Sequence, residues 1–350
     1  MNSSSICPWI VSANAVTSIG YDLETTAAAV RAQISTFGES YMIDKSGNPM
    51  VVSCIKQLDE NCMGSSRIIE LTLAAMQPLV NQLAELSVDM GSFPVKMALP
   101  MSRPGIEGLN DEMYKELTLT FGDSDINIYW ENQSEGHGSV IRCVEDAVEI
   151  LSTGQAELCL VGGADTYWHY ESLEWLDQTR RLRSDSNLDG FVPGEAAAFI
   201  LLMTTQCARR LGLNAMAEVA SVACGHEPHP LISDGVSIGS GLTETLQSVL
   251  DRIQGGLSMV DWVVSDMNGE SYRSMEWSYA WMRTGQHFRN PVELWHPADC
   301  YGDVGSASGA LLLGITANAL AKGYGRGSTA LVFTSSEGPL RSAAVLRSIP

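Results

Sequence analysis

Apolar and polar positions alternate along the chain in short blocks, and these blocks predict strands separated by helices. Many of the intervals between the apolar runs have helical periodicity. A regular alternation of strands and helices favours a layered α/β fold with largely parallel sheets. The predicted strands are 9–15, 95–101, 126–130, 158–161, 197–203, 217–223, 262–265, 292–295, 331–334 and 343–346.

Three of the predicted helices have distinguishing features. An apolar stripe predicts a helix that ends at Gly154, a residue suited to helix termination. The segment 68–86 contains Pro78, which is predicted to kink it. The segment 304–321 is almost entirely apolar, but it is rich in glycine, serine and alanine, which favours burial inside protein over a membrane span. The stripe before Gly154 consists of Ile141, Val144, Ala147, Val148 and Leu151.

The two parts of the chain repeat one another weakly. In each part a glycine–serine pair opens a helix that leads to an apolar strand. A duplicated α/β unit would explain this repetition, with halves at 1–205 and 215–350 and a polar linker at 206–214. The pairs and strands are Gly138-Ser139 with 158–161, and Gly305-Ser306 with 331–334.

The composition is that of a globular protein with a strongly acidic surface. Of the 350 residues 45% are hydrophobic and 18% charged, so there is enough apolar material for a core. Acidic residues number 41 against 21 basic ones, a net charge of −20. That charge argues against nucleic acid or an anionic membrane as the main partner, because both would be repelled.

Several features predict a cytosolic protein without a cofactor. Residues 1–9 have neither a basic region nor a long apolar run, so no signal peptide is predicted. The 8 cysteines are scattered and form no C-x-x-C pair, which favours reduced thiols. No glycine-rich nucleotide-binding loop is present. His226 and His229 have the spacing of metal ligands, but Pro228 between them predicts a surface turn.

The most specific text lies between residues 154 and 203. It contains Gly162-Gly163-Ala164-Asp165, followed by DGFVPGEAAA at 189–198. Near its start the chain has AVTSIG at 15–20, and near its end it has GDVGSASG at 302–309. These segments resemble, in order, the AGGAD, DGFVPGEGA, GxVTSxG and GHxxGAAG motifs of the β-ketoacyl synthase branch of the thiolase-fold proteins. The resemblance implies an α/β thiolase-like fold, with two duplicated halves in a layered α-β-α-β-α arrangement.

The catalytic set of that family is absent from this chain. The family's cysteine nucleophile corresponds to His137, its first histidine to Met267 and its second histidine to Asp303. The family's lysine corresponds to Ala298, and the glycine-rich loop near the C-terminus to EGPLRS at 337–342. Acyl transfer needs a thiolate, and condensation needs two imidazoles near the reacting carbonyl. The chain is therefore predicted to be inactive as a condensing enzyme.

The residues left in the implied pocket allow two interpretations. His137 could act with Asp303 or Glu270 to polarise a hydroxyl of Ser139 or Ser134, which would make an improvised thioester hydrolase or acyltransferase. Alternatively His137 fills the space of the missing cysteine, and Asp303 caps the helix that follows it, which is the preferred interpretation for Asp303. One histidine and two acids are also a possible metal-ligand set, although no second histidine is near, and no metal is predicted. The other predicted pocket residues are Ser139, Met267, Asn268 and Gly338.

The resemblance and the missing catalytic set favour a function by binding. One setting is that of the chain-length factors, which lack the cysteine and pair with an active ketosynthase. The other is an adaptor role like that of degenerate thiolase-like proteins found beside type VI secretion cargo genes, slightly preferred because the chain is short. The resemblance implies a homodimer, or a heterodimer with a ketosynthase, through an edge strand of the first half. An acyl-carrier protein is a further possible partner, and the aromatic segments 167–170 and 272–281 are candidates for ring packing or recognition.

Overall fold

The computed structural model describes residues 7–86, 92–106, 127–253 and 259–349, with Met113, Glu116, Leu117, Thr120 and Phe121 between them. Residues 1–6 and Ile126, which enter the expectations above, lie outside the described residues. The strands are β1 (Trp9–Thr17), β2 (Gly38–Ile43), β3 (Pro49–Val52), β4 (Ser92–Ala98), β5 (Asn127–Gln133), β6 (Leu158–Thr166), β7 (Glu195–Met203), β8 (Ala217–His226), β9 (Val260–Ser265), β10 (Phe288–Trp295), β11 (Thr329–Ser335) and β12 (Leu340–Arg347). The described helices are α1 (Leu23–Arg31), α2 (Gly64–Glu85), α3 (Ser139–Ser152), α4 (Tyr170–Gln178), α5 (Thr205–Arg210), α6 (Ser240–Asp251), α7 (Ser271–Thr284), α8 (Ala298–Tyr301) and α9 (Ser308–Ala321).

The large sheet consists of two five-stranded groups with the same internal order. Its strands follow the order β10-β9-β11-β12-β8-β1-β7-β6-β4-β5. The two groups meet where β1 pairs with β8, through Trp9 with Glu218 and Ile10 with Ala217. Replacing β1, β7, β6, β4 and β5 by β8, β12, β11, β9 and β10 reproduces the order, so the α/β thiolase-like fold with duplicated halves is confirmed.

Each half of the sheet is mixed rather than largely parallel. Strand β4 runs parallel to β5 and β6, whereas β7 is antiparallel to β6 and β1. The second half repeats this pattern, because β9 is parallel to β10 and β11, and β12 is antiparallel to β11 and β8. The expectation of largely parallel sheets is wrong for the last strand of each half. Strand β12 returns directly after β11 through a short connection, which only an antiparallel strand allows.

Helices α3 and α9 are packed between the two halves. Helix α3 contacts β6 in the first half and β8 in the second, and α9 contacts β7, β11 and α3. Every residue of α9 from Ser308 to Leu320 is buried, so its apolar surface is covered by protein as the sequence predicts. Among the described residues, no helix combines the length and the apolar character needed to cross a membrane.

Two segments differ from the sequence-based expectation. The hairpin of β2 and β3 is not predicted, because its strands lack a long apolar run. Part of the predicted linker 206–214 is helix α5, whose first turn is capped by the Thr204 hydroxyl accepting from the Cys207 N–H at 3.2 Å. Helix α2 is continuous through Pro78. The domain boundaries at 205 and 215 stay a prediction.

Candidate functional site

Two equivalent 3-10 turns, one in each half, precede the helices α3 and α9 and contact each other. His137 lies in the 3-10 turn Gly136–Gly138, which leads directly into α3. Asp303 precedes the 3-10 turn Gly305–Ala307, which leads into α9. Gly305 has a φ of 51°, and a Cβ there would collide with the Asp165 carboxylate. Glycine at this position therefore lets the second turn lie directly against the Asp165 carboxylate on β6, which accepts the Ser306 N–H.

His137 and Asp303 form a buried pair. The imidazole Nε2 lies 2.8 Å from Asp303 Oδ1 and 3.0 Å from Oδ2. The side chains are 3% and 1% exposed, so solvent scarcely reaches either. Asp303 Oδ1 also accepts the Gly305 N–H, at the start of the 3-10 turn, at 2.8 Å, and Oδ2 accepts from Asn268 Nδ2 at 2.6 Å. The carboxylate therefore has four polar contacts.

Arg273 of α7 approaches the same pair from the second half. Its Nη1 donates to Asp266 Oδ2 at 2.8 Å and to the Ser335 carbonyl at 2.7 Å. Its Nη2 lies 3.3 Å from His137 Nε2. Both Arg273 and Asp266 have side chains only 2% exposed. The sequence analysis included Arg273 only as part of the aromatic segment 272–281 and did not identify it as a site residue.

Glu270 lies beyond this inner group and connects it to a second set of charges. Asn268 Nδ2 donates to Glu270 Oε2 at 3.0 Å, so the amide bridges Glu270 and Asp303. Arg181 binds both oxygens of Glu270 at 2.8 Å and donates to Glu337 Oε1 at 2.5 Å. The sequence analysis predicted the convergence of Asn268 and Glu270 with Asp303 but missed both arginines. We call the group His137, Asp266, Asn268, Glu270, Arg273, Asp303, Arg181 and Glu337 the ionic network.

The charges in the ionic network shift the pKa values of its members. Burial disfavours a charged imidazole, but the Asp303 carboxylate outweighs burial and raises the pKa of His137 above its ordinary value. Burial alone would raise the pKa of Asp303, but His137, Arg273 and the Gly305 N–H hold it below the usual range. Arg181 likewise lowers the pKa of the buried Glu337 carboxyl. These shifts favour the charged forms of His137, Asp303 and Glu337.

The remaining predicted pocket residues have other partners. The Ser139 hydroxyl accepts the Glu135 N–H at 2.8 Å. The polar contacts described for the His137 ring are with Asp303 and Arg273 and do not include this hydroxyl. Met267 is half-buried and packs against the apolar cluster of the second half. The Gly338 carbonyl accepts from Arg341 Nη1 at 2.8 Å. The Ser134 hydroxyl donates to the Pro100 carbonyl at 2.8 Å.

The two possible metal sites lack a sufficient set of ligands. Within the described ranges, no three His, Cys, Asp or Glu side chains are grouped so that they could hold a metal ion. Between His226 and His229, the Glu227 side chain is buried and accepts the Gly241 N–H at 2.8 Å. Glu227 therefore ties the start of α6 to this turn.

The glutamate of the DGFVPGEAAA segment has a structural partner that sequence reasoning missed. Glu195 binds Arg67 of α2 through two oxygens, at 2.5 Å to Nε and 2.7 Å to Nη2. It also accepts the Ile55 N–H at 2.6 Å and the Thr166 hydroxyl at 2.8 Å. The side chains of Arg67 and Glu195 are 0% and 1% exposed. This ion pair joins α2 to the start of β7 and, through Thr166, to the end of β6.

The aromatic segment of α7 divides into a packed face and an exposed face. Trp277 stacks on Phe333 at 5.0 Å between ring centroids, which shows ring packing on the sheet. Met275 and Met282 of the same helix are 54% and 71% exposed. The packing interpretation therefore holds for Trp277, while the outward face of α7 carries apolar side chains in solvent.

Comparisons with known proteins agree with this architecture. The family model "Beta-ketoacyl synthase, N-terminal domain" matches residues 138–208. A Streptomyces virginiae protein described as a polyketide β-ketoacyl synthase is 30% identical over 136 residues, which is 37% of this chain and 32% of that protein. The match thus spans about a third of that relative's length.

Solved structures resemble the whole chain at low sequence identity. A complex of a type II polyketide acyl-carrier protein with its ketosynthase matches with a TM-score of 0.82 and 15% identity, covering 99% of this chain and 100% of that chain. The ishigamide ketosynthase/chain length factor matches with a TM-score of 0.80 and 14% identity, covering 99% and 100%. A ketosynthase in complex with its chain length factor from Xenorhabdus doucetiae matches at 0.76 and 13%, covering 98% and 98%. The resemblance to the β-ketoacyl synthase-like branch of the thiolase-fold superfamily is confirmed.

Proposed function

We propose that this chain is a non-catalytic ketosynthase-like protein that acts by binding another protein, in the manner of a chain-length factor paired with an active ketosynthase. The observation that carries the proposal is the buried ion pair of His137 with Asp303, at the place where the resemblance puts the catalytic cysteine. Catalysis by this fold needs a nucleophile there that is free to attack a thioester. In this chain the position holds the His137 imidazole, which already contacts the Asp303 carboxylate.

The electrostatics of the site oppose condensation chemistry. An enolate or a tetrahedral intermediate needs donors aimed at a developing negative charge. Asp303 presents a carboxylate with a lowered pKa instead, so a second negative charge would be repelled. The rebuilt hydrolase or acyltransferase would need His137 near both an acid and a hydroxyl. Asp303 supplies the acid at 2.8 Å from His137 Nε2, and Arg273 Nη2 lies 3.3 Å from the same nitrogen.

The coverage of solved structures supports a partner role. The chain covers 100% and 98% of chains from two ketosynthase/chain length factor structures, but 76% of a module ketosynthase from Bacillus amyloliquefaciens FZB42. Its length is thus that of a chain in such a two-protein assembly. Length therefore gives the adaptor role no preference over a chain-length-factor-like role.

A direct test is intact-mass spectrometry after mixing the protein with acetyl- and malonyl-coenzyme A and with an acyl-carrier thioester. We expect an unchanged protein mass and no thiol release above the buffer rate, because His137, at the position expected for the nucleophile, is held by Asp303. His137→Ala serves as the matched variant, since it removes the candidate base. A stable acyl adduct, or turnover that the variant loses, would overturn the non-catalytic proposal.

A second test concerns β5, which has no strand on its outer side among the described residues and through which we propose that the chain pairs with a second chain. The Gln133 carbonyl accepts the Leu99 N–H at 2.8 Å, so the backbone N–H and carbonyl of Gln133 point towards the neighbouring strand β4. Backbone direction alternates along a strand, which leaves the Asn132 N–H facing the open edge. Asn132→Pro removes this donor and is expected to shift sedimentation from dimer to monomer at micromolar concentration.

The control for this test is Asn132→Ala, which keeps the backbone N–H. The Asn132 side chain is exposed, so neither substitution removes a core contact. We expect Asn132→Ala to sediment as the unmodified protein does. If the unmodified chain is monomeric in isolation, the same two variants are compared in a mixture with the ketosynthase whose structure was solved in complex with its acyl-carrier protein. Equal behaviour of the two variants in both settings would contradict pairing through β5.

A further inference from the structure

Large apolar side chains are exposed on and beside the β2–β3 hairpin. Tyr41 and Ile43 on β2 are 51% and 55% exposed, and Tyr170 at the start of α4 is 55% exposed. The two tyrosine rings meet edge to face, with centroids 6.1 Å apart, and their hydroxyls lie 3.4 Å apart. A cluster of this kind on a monomer surface marks an interaction site more often than isolated apolar residues do.

A groove of about 460 Å³ lies between β2 and α4 beside these rings. Its lining includes Tyr41, Ile43, Tyr170, Glu174 and Lys45. Lys45 is already neutralised, because its Nζ donates to the Asp177 carbonyl at 2.5 Å and lies 3.3 Å from Asp177 Oδ1. The Lys45 charge is therefore offset by Asp177, and the rings of Tyr41 and Tyr170 form part of the groove wall.

Glu174 in the groove lining is an exposed carboxylate that is not neutralised. It accepts only a hydrogen bond from Gln178 at 3.1 Å, with no ion pair to any residue that the structure describes. Glu171 precedes it by three positions on α4, and Glu60 lies near enough to Tyr41 to affect its phenol. The charge that complements these carboxylates is positive. Burial, the hydrogen bond with Tyr170 and the nearby Glu60 raise the pKa of Tyr41 to about 12, so the phenol stays neutral.

We propose that this groove binds an arginine side chain presented by a partner protein. A guanidinium stacks on tyrosine faces and pairs with a carboxylate in a planar, two-pronged geometry. Tyr41 and Tyr170 supply the faces, Glu174 supplies the carboxylate, and Ile43 supplies an apolar contact for the neighbouring residue of the partner. Tyrosine and arginine are also enriched among the residues that dominate binding energy at interfaces.

This site goes beyond the proposed function, because it does not depend on whether the ionic network is catalytic. It also involves no residue of β5, which is an edge strand of the large sheet. The hairpin packs on a small apolar cluster that includes Trp168 and Phe191, and Tyr41 contacts Trp168 edge-on at 5.7 Å. Arg181 of the ionic network lies 5.1 Å over Phe191, so the same cluster contacts both the hairpin and the network.

The test uses two capped tripeptides, leucyl-arginyl-leucine and leucyl-citrullyl-leucine, titrated into the full chain by calorimetry. Citrulline keeps the shape of arginine without its charge. We expect saturable binding of the arginine peptide and at least about fivefold weaker binding of the citrulline peptide. Tyrosine-ring carbon-13 NMR reports the location, with shifts expected for Tyr41 and Tyr170.

Two variants localise the interaction. Glu174→Gln is expected to weaken the arginine peptide at least about fivefold, and Tyr170→Ala to weaken it by a similar factor. Glu244→Gln is the matched control, because Glu244 is an exposed carboxylate on α6, and we expect it to leave the affinity unchanged. The substituted side chains are exposed, so the fold is retained, which circular dichroism checks. Equal affinity for the two peptides, no saturable binding, or an equal effect of Glu174→Gln and Glu244→Gln would overturn the proposal.

Discussion

Replacing Arg273 with methionine is expected to lower the free energy of unfolding by about 3–5 kcal/mol, because the change leaves buried carboxylates without their counter-charge. Asp266 loses its 2.8 Å contact, and Asp303 loses a positive neighbour. Both acids are almost fully enclosed, with side chains 2% and 1% exposed. Urea unfolding at neutral pH, followed by circular dichroism, measures the loss.

The matched control is an exposed ion pair. Arg210 and Glu157 form one at 2.5 Å, with side chains 47% and 53% exposed, and water screens such a pair. Arg210→Met is therefore expected to cost no more than about 1 kcal/mol. The double variant Arg273→Met with Asp266→Asn should recover part of the loss, because it also removes one uncompensated charge. A cost for Arg273→Met as small as that for Arg210→Met would contradict the role assigned to the network.

Stability is expected to fall as the pH rises above about 6.5, because folding raises the pKa of His137. Below the unfolded pKa both states hold the proton, and the contact with Asp303 contributes fully. Between the unfolded and the folded pKa the native state binds an extra proton, so the free energy of unfolding falls by up to about 1.4 kcal/mol per pH unit. Above the folded pKa this contribution is gone.

The pH dependence is measured by urea unfolding at a series of pH values from mildly acidic to mildly alkaline. His137→Asn is expected to flatten the decline above pH 6.5, since the titrating ring is absent. His296→Asn is the control, because His296 also has a raised pKa, but its contact with Asp299 is largely exposed and contributes less. The same slope in His137→Asn as in the unmodified protein would show that another group causes the decline. Asp303 contributes in the opposite direction, because its lowered pKa makes its stabilisation disappear as the pH falls into the acid range.

The sequence was sufficient for the fold because its signals are local. Apolar runs predicted ten strands of the large sheet, with bounds that differ from those observed by a few residues. Motifs such as Gly162-Gly163 and Gly302 lie where the backbone must pass close to a neighbour, and a Cβ at Gly163 would collide with the Ser306 carbonyl. Steric requirements of this kind leave a readable mark at one position. The hairpin of β2 and β3 left no such mark, because its short strands expose alternate side chains.

The convergence of His137 with Asp303, Asn268 and Glu270 followed from the resemblance, which supplied the topology that spacing alone could not. The arginines were missed for the same reason. Arg273 and Arg181 are ordinary basic residues in sequence, and their burial depends on which carboxylates the fold places beside them. Arg181 contacts Glu337, which is 156 positions away.

The sequence by itself predicted the alternation of elements, and its motifs carried the resemblance that implied a duplicated thiolase-like architecture. The tertiary structure alone decided which groups meet around His137, namely Asp303, 166 positions away, and Arg273. The physical reason is that hydrophobic periodicity and glycine sterics act between near neighbours. The state of a buried charge is set by every group around it, and those groups come together only when the two halves are folded against α3 and α9.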